Sequence, residues 1–225
     1  MRMTLLGLAL LVALGMPAAA PAPPPFRLPF ADPPGPNTWL PIQMYGNTTG
    51  AYAQRATLYR LGQGLHFGID FSCACGTPIV AIGDGVVHMA DGPYGSAPHN
   101  LMIDHANGYA SFYGHLLEKP NLKPGDKVKA GQVIALSGDQ YGTCRSAPHL
   151  HLEIRDLTHT KAFNPVPLIN ADWDAILLFG AGGASFEHDM ANPRRWQRID
   201  DQPDVQFGGW RLNEYDVAWP GDLRR

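Results

Sequence analysis

His149-Leu150-His151-Leu152-Glu153-Ile154 alternates with a period of two. In an extended strand successive side chains face opposite sides, so His149 and His151 project from one face about 6.6 Å apart, while Leu150, Leu152 and Ile154 project from the other. One face is chemical and the other is core. The same period recurs from residue 65 to 169 between frequent turn signals, which argues for an antiparallel sheet. Ile79 to Ile82 and Val86 to Met89 read as short strands about Gly83-Asp84-Gly85. Leu101 to Asp104 and Tyr109 to Tyr113 flank Asn107-Gly108, a strong hairpin signal. Lys123-Pro124-Gly125-Asp126 is a further turn leading to Val128 and then Gln132 to Leu136.

His66-Phe67-Gly68-Ile69-Asp70 carries two more candidate donors. Four extended residues span roughly 13 Å, whereas bonds to zinc are only about 2 Å long, so a straight strand would hold His66 and Asp70 too far apart. Gly68 lies between them and is expected to supply the bulge or turn that folds both toward one point. Hydrolytic zinc takes three His or carboxylate ligands and keeps one position for water. His66, Asp70 and one histidine of the 149/151 pair meet that count. The other histidine of the pair and His115 are then left near the ion, where neutral imidazoles take a proton or stabilise an oxyanion. No Ser or Cys nucleophile is needed.

At these residues the chain resembles the lysostaphin-like, or LytM-type, zinc endopeptidases, which cut peptide cross-links in bacterial peptidoglycan. The motifs occur in order: His66 to Asp70, Gly76-Thr77-Pro78, Asp84-Gly85, Tyr113-Gly114-His115-Leu116, Lys129-Ala130-Gly131-Gln132 and Pro148 to Ile154. Together they cover roughly residues 60 to 169, and as a set they are specific. The resemblance implies a compact antiparallel all-β sheet or sandwich, the duplicated hybrid motif, with few short helices. It also implies one Zn2+ held by His66, Asp70 and His151, with His115 and His149 as catalytic histidines. His115 is expected at the end of the hairpin's second strand, near the sheet's edge. His88, His99, His105, His159 and His188 match no ligand position and are read as structural or surface residues.

The chain has 225 residues, is 45% hydrophobic and 16% charged, and has a net charge of -3. That is enough to bury a core as one elaborated domain, and it offers no basic footprint for nucleic acid or an anionic membrane. Met1-Arg2-Met3, an apolar run from Leu5 to Met16 and Ala18-x-Ala20 have the layout of a secretory signal peptide. The run is short of the about 20 residues that span a bilayer, so stable membrane insertion after cleavage is not expected. We assign 1–20 to the signal peptide, 21–36 to a proline-rich linker, 37–64 to a lead-in strand and a loop over the active site, 65–169 to the peptidase domain and 170–225 to an extension.

Four of the five tryptophans fall in that extension, Trp173, Trp196, Trp210 and Trp219, which favours packing on the domain over display to a glycan. Three cysteines suit an oxidising compartment. A bridge from Cys144 to Cys73 or Cys75 would pin the two metal-binding segments; three free thiols or a thiolate ligand are the other readings. The loop from Gly138 to Ala147 borders the paired histidines, with Arg145 either solvated or holding a substrate carboxylate.

The expected function is that of an exported zinc metalloendopeptidase, periplasmic or secreted and monomeric, hydrolysing peptidoglycan stem peptides or cross-bridges. A non-catalytic scaffold for another wall hydrolase and a secreted protease acting on proteins are the alternatives.

Overall fold

The structure is a computed structural model that describes residues 22–179 and 198–214. The signal-peptide assignment, His188, Trp196 and Trp219 lie outside the described residues. Strand β1 (Trp39–Gln43) and a short helix α1 (Thr49–Ala53) precede β2 (Ile69–Cys73). Then follow β3 (Pro78–Val80), β4 (Gly85–Ala90), β5 (His99–Asp104) and β6 (Tyr109–Leu116). After these come β7 (Lys127–Val128), β8 (Val133–Leu136), β9 (His149–Asp156), β10 (Lys161–Phe163), the helix α2 (Trp173–Phe179) and β11 (Val205–Gln206).

The fold is all-β, as the alternation predicts. Seven strands of a nine-stranded sheet run in the order β1-β2-β9-β6-β5-β4-β7, and every pairing among them is antiparallel. The remaining two, β10 and β11, continue from β9. In place of a full second layer, β3 and β8 form a two-stranded sheet, and their Ile79 and Ile134 join the main core. The two strands read about Gly83-Asp84-Gly85 do not pair with each other: β3 pairs with β8, and β4 with β5 and β7.

Register decides which face does what. Leu150 opposes Phe71, and Leu152 lies between Ile69 and Tyr113, all fully buried on the core side. His151 lies between Asp70 on β2 and Gly114 on β6, so the other face collects the polar side chains. That polar face is itself covered, because His151, Glu153 and Arg155 are each at most 5% exposed. Burial of polar groups on this scale requires that each be paired, and the pairings build the site.

One segment departs from its sequence reading. The proline-rich stretch is extended but is no free tether: Phe26 and Phe30 are buried in the main core, Phe30 stacks on Trp39, and Phe26 bridges to Ile169. Aromatic burial outweighs the solvation that proline favours. The lead-in region contains α1, capped by the Thr48 hydroxyl, and its Trp39, Tyr45, Tyr52 and Tyr59 are buried. In the C-terminal extension Trp173 is buried and β11 pairs with β10, whereas Trp210 is 93% exposed.

Candidate metal centre

The antiparallel register of β2 and β9 sets Asp70 directly opposite His151. His66 precedes β2 and is held by backbone hydrogen bonds in both directions with Gly46. His66 Nε2, Asp70 Oδ1 and His151 Nδ1 form a triangle with sides of 3.4, 2.7 and 3.3 Å. Ligands about 2.0–2.1 Å from a tetrahedral zinc lie about 3.3 Å from one another, so two sides already match and the third needs a small opening. The structure thus brings together the three residues that the sequence singled out.

Gly68 plays a different part from the one expected. It is absent from the residues with positive φ, so no left-handed turn is involved. A Cβ at this position would lie 2.7 Å from His151 Cε1 and 2.7 Å from the Leu152 carbonyl oxygen. Glycine here makes room for the His151 ring.

The ring nitrogens pointing away from the triangle fix the tautomers. His66 Nδ1 lies 2.8 Å from the Met44 carbonyl oxygen, which only accepts, so this nitrogen carries the proton and Nε2 presents a lone pair. His151 Nε2 donates in the same way to Glu153 Oε1 at 3.1 Å. Two imidazole lone pairs and a carboxylate therefore converge on one point, an arrangement that needs a proton or a cation between them. Burial disfavours a charged His151, yet its hydrogen bonds to the Asp70 and Glu153 carboxylates outweigh it and raise the imidazole to about 9 in the metal-free protein. Asp70 is held well below the usual carboxylate range, where His66 and His151 overcome the cost of burial.

The sequence reading gives Glu153 no role. It is fully buried and takes Arg155 Nε on Oε2 at 2.7 Å and Nη2 on Oε1 at 3.0 Å. The guanidinium lies over the rings of Phe112 and Phe207 at 4.7 and 4.5 Å. The available signal was the period of two itself, which puts Glu153 and Arg155 on the same face as the paired histidines.

His115 and His149 meet with ring centroids 4.6 Å apart. Strand alternation would turn His115 to the core side, because its neighbour Gly114 already opposes His151. A φ of +56° at His115 breaks the alternation and delivers the ring to the site. Its strand β6 is interior, paired on both sides, which corrects the expected position near the sheet's edge. The edge reading failed because the crossover placing β9 beside β6 is not local in sequence. His115 Nδ1 donates to the Ala97 carbonyl at 2.6 Å and His149 Nδ1 to the Ala147 carbonyl at 2.9 Å, leaving each Nε2 as an acceptor. Burial, and next the neighbouring His151, lower His115 to about 4, so it is neutral at physiological pH.

These side chains open into a groove of about 540 Å³, lined also by Leu58, Tyr59, Leu61 and Phe67, by residues 93–96 and by Phe207. The loop before β9 contributes Gln140, whereas Arg145 is exposed and outside the lining. Asp139 organises that loop, accepting from the backbone N–H groups of Tyr141, Thr143 and Ser146 at 2.9 to 3.1 Å. Cys75 and Cys144 form a disulfide that ties the loop to the segment after β2, and Cys73 is a buried free thiol. Of the other histidines, His105 is structural, bonded to the Asp84 carbonyl and the Ser111 hydroxyl. His88 and His159 are not isolated, for both reach Asp104.

A β-sheet face that gathers two imidazoles and a carboxylate, flanked by two further histidines in a groove, has the donor set of a metallohydrolase. The profile of Peptidase family M23 matches residues 64–165. Lysostaphin of Staphylococcus simulans is 37% identical over 163 residues, covering 71% of this chain and 28% of that protein. Peptidoglycan DD-endopeptidase ShyA of Vibrio cholerae is 43% identical over 90 residues, covering 40% of this chain and 20% of that one. The solved catalytic domain of the antimicrobial peptidase lysostaphin from Staphylococcus simulans is 33% identical, with 55% of this chain and 86% of that domain covered and a TM-score of 0.43. Residues 64–165 of the chain form a peptidase family M23 domain. It spans less than a third of the length of the lysostaphin sequence it matches.

Proposed function

We propose that this chain is an exported zinc endopeptidase that hydrolyses peptide bonds in peptidoglycan stem peptides or cross-bridges, with His66, Asp70 and His151 as zinc ligands and His115 and His149 as catalytic histidines. The observation that carries the reading is the convergence of the His66 and His151 lone pairs on the Asp70 carboxylate, with both tautomers fixed from behind. Zinc in such a set polarises a carbonyl and lowers the pKa of water to about 7.

The chain's own groups do the rest. His115 and His149 present unprotonated Nε2 atoms, and one of them takes the proton of the attacking water. The imidazolium so formed then donates toward the developing oxyanion or the leaving amine, while its Nδ1–H stays fixed on a backbone carbonyl. The groove's apolar flank of Leu58, Leu61, Phe67 and Phe207 excludes water from an extended peptide.

Export is supported by the N-terminal layout and by the disulfide, which persists in oxidising compartments. Among the described residues, no helix is long and apolar enough to cross a membrane. The similarity to the peptidoglycan DD-endopeptidase ShyA of Vibrio cholerae supports peptidoglycan as the substrate class.

The experiment is digestion of purified sacculi with and without a chelator, followed by mass spectrometry of the released muropeptides. Expected are new amino termini that disappear with chelator and return with zinc. Undiminished release by chelated protein, or by His151→Ala, would overturn the zinc reading; cleavage of a protein panel with intact sacculi would replace the substrate.

A further inference from the structure

A second group of donors on the same sheet face is unaccounted for by the peptidase centre. Asp104 ends β5 and is aligned across the sheet with Ala110 of β6, which is aligned in turn with Arg155 of β9. His88 Nδ1 lies 3.2 Å from Asp104 Oδ2, and His159 Nε2 lies 2.9 Å from Asp104 Oδ1. The two imidazole rings are 4.2 Å apart. One donor atom from each of the three residues falls within 4.8 Å of the others.

The three donors come from separate elements, and two of them are aimed by irregular backbone. The register of β4 against β5 shifts between Val87 and Met89, making His88 the extra residue of a β-bulge, a feature that re-aims side chains at the margins of sheets. His159 lies in the turn between β9 and β10 with φ +58°, a conformation unusual for a residue other than glycine. The Tyr94 hydroxyl takes the remaining ring nitrogen of His88 at 3.0 Å, the outer support that ligating imidazoles usually have. His159 is 6% exposed at its side chain, while His88 and Asp104 are each 34% exposed, leaving a path for an ion and for water.

We propose that His88, Asp104 and His159 form a second divalent-cation site, separate from His66, Asp70 and His151, at the Arg155 end of the groove. Two imidazoles and a carboxylate select a borderline ion such as zinc over calcium or magnesium, which prefer all-oxygen sets. Tyr94 and His159 both line the groove, so the ion would brace its wall. The bracing extends toward the first centre, because Tyr94 also accepts Arg155 Nη2 on its carbonyl oxygen at 3.3 Å, and Arg155 holds Glu153.

The test is zinc stoichiometry of the full chain by equilibrium dialysis and elemental analysis. Expected are two zinc ions in the native sequence, one in His88→Gln/His159→Gln and one in Asp70→Ala. Proton NMR of the wild-type imidazoles during a zinc titration gives an answer that needs no variant, with the His88 and His159 ring resonances expected to shift. A native protein that binds one zinc, retained in His88→Gln/His159→Gln, with those resonances unmoved, would overturn the proposal. If instead the single zinc is lost in that double variant and kept in Asp70→Ala, the second site stands and the proposed catalytic ligand set fails.

Discussion

Glu153 Oε1 lies 3.1 Å from His151 Nε2, the ring nitrogen that Asp70 does not touch. A carboxylate behind an imidazole fixes its tautomer and raises its basicity as a ligand, and such partners are typically worth 10–100-fold in metal affinity. Glu153 also neutralises Arg155 in the same buried cluster, so one residue serves the site and the fold.

Glu153→Gln is expected to weaken zinc binding by about 10-fold or more, read by competition with a chromophoric chelator. It also leaves the Arg155 charge buried without its partner, and breaking such pairs costs about 3–5 kcal/mol. Urea denaturation of the metal-free protein measures that loss. In Glu153→Gln/Arg155→Met the stability cost should be smaller than the sum of the two single changes; additive costs would mean the pair is uncoupled.

Gly68→Ala should displace the His151 ring, since the new Cβ would meet Cε1 at 2.7 Å. Overpacking of this kind costs about 1–3 kcal/mol. Here the backbone carbonyl of Leu152 closes the other side, so zinc affinity should fall as well. Gly76→Ala is the control: it has open space but a φ of +78°, so it should lose roughly 1–3 kcal/mol to backbone strain and keep its zinc. Equal zinc affinity in the two variants would refute the steric role of Gly68.

Thiol titration of the denatured, unreduced protein should find one thiol per chain, from Cys73. The bridge from Cys75 to Cys144 spans a sequence separation of 69 residues. In the chain-entropy account, a loop of that length is worth about 4 kcal/mol. Cys75→Ser and Cys144→Ser should each lower stability by about that amount, measured under non-reducing conditions.

Asp139 governs an acid limit. Its carboxylate is buried, which alone would raise its pKa, but the N–H groups of Thr143, Ser146, Tyr141 and Cys144 hold it below the usual range. A depressed folded-state pKa stabilises the fold above the unfolded value of about 3.9, and that stability is lost as pH falls further toward the folded value. Asp139→Asn should therefore be less stable than the native protein at pH 7, with the gap narrowing below about pH 4. Thermal melts across that range check it, and a constant gap would exclude the mechanism.

The resemblance and the alternation in the sequence carried the all-β class and the Asn107-Gly108 hairpin between β5 and β6, and they singled out five residues, His66, Asp70 and His151, His115 and His149, that the structure places close together. A period of two is a local property, so the faces of β9 follow from its letters alone. Cross-strand register is not local. That Asp70 stands opposite His151, that Gly68 clears space for a ring 83 positions away, and that β6 is interior were decided when distant strands paired. The choice of Cys75 over Cys73 belongs to the same kind of fact, as the two lie on one short segment and only the folded path of residues 138–147 separates them. So does the meeting of His88, Asp104 and His159, which no spacing announces because a bulge and a left-handed turn aim them. Short-range sterics write the strand pattern into the sequence, whereas the positions of groups from separate strands exist only once long-range packing has closed the sheet.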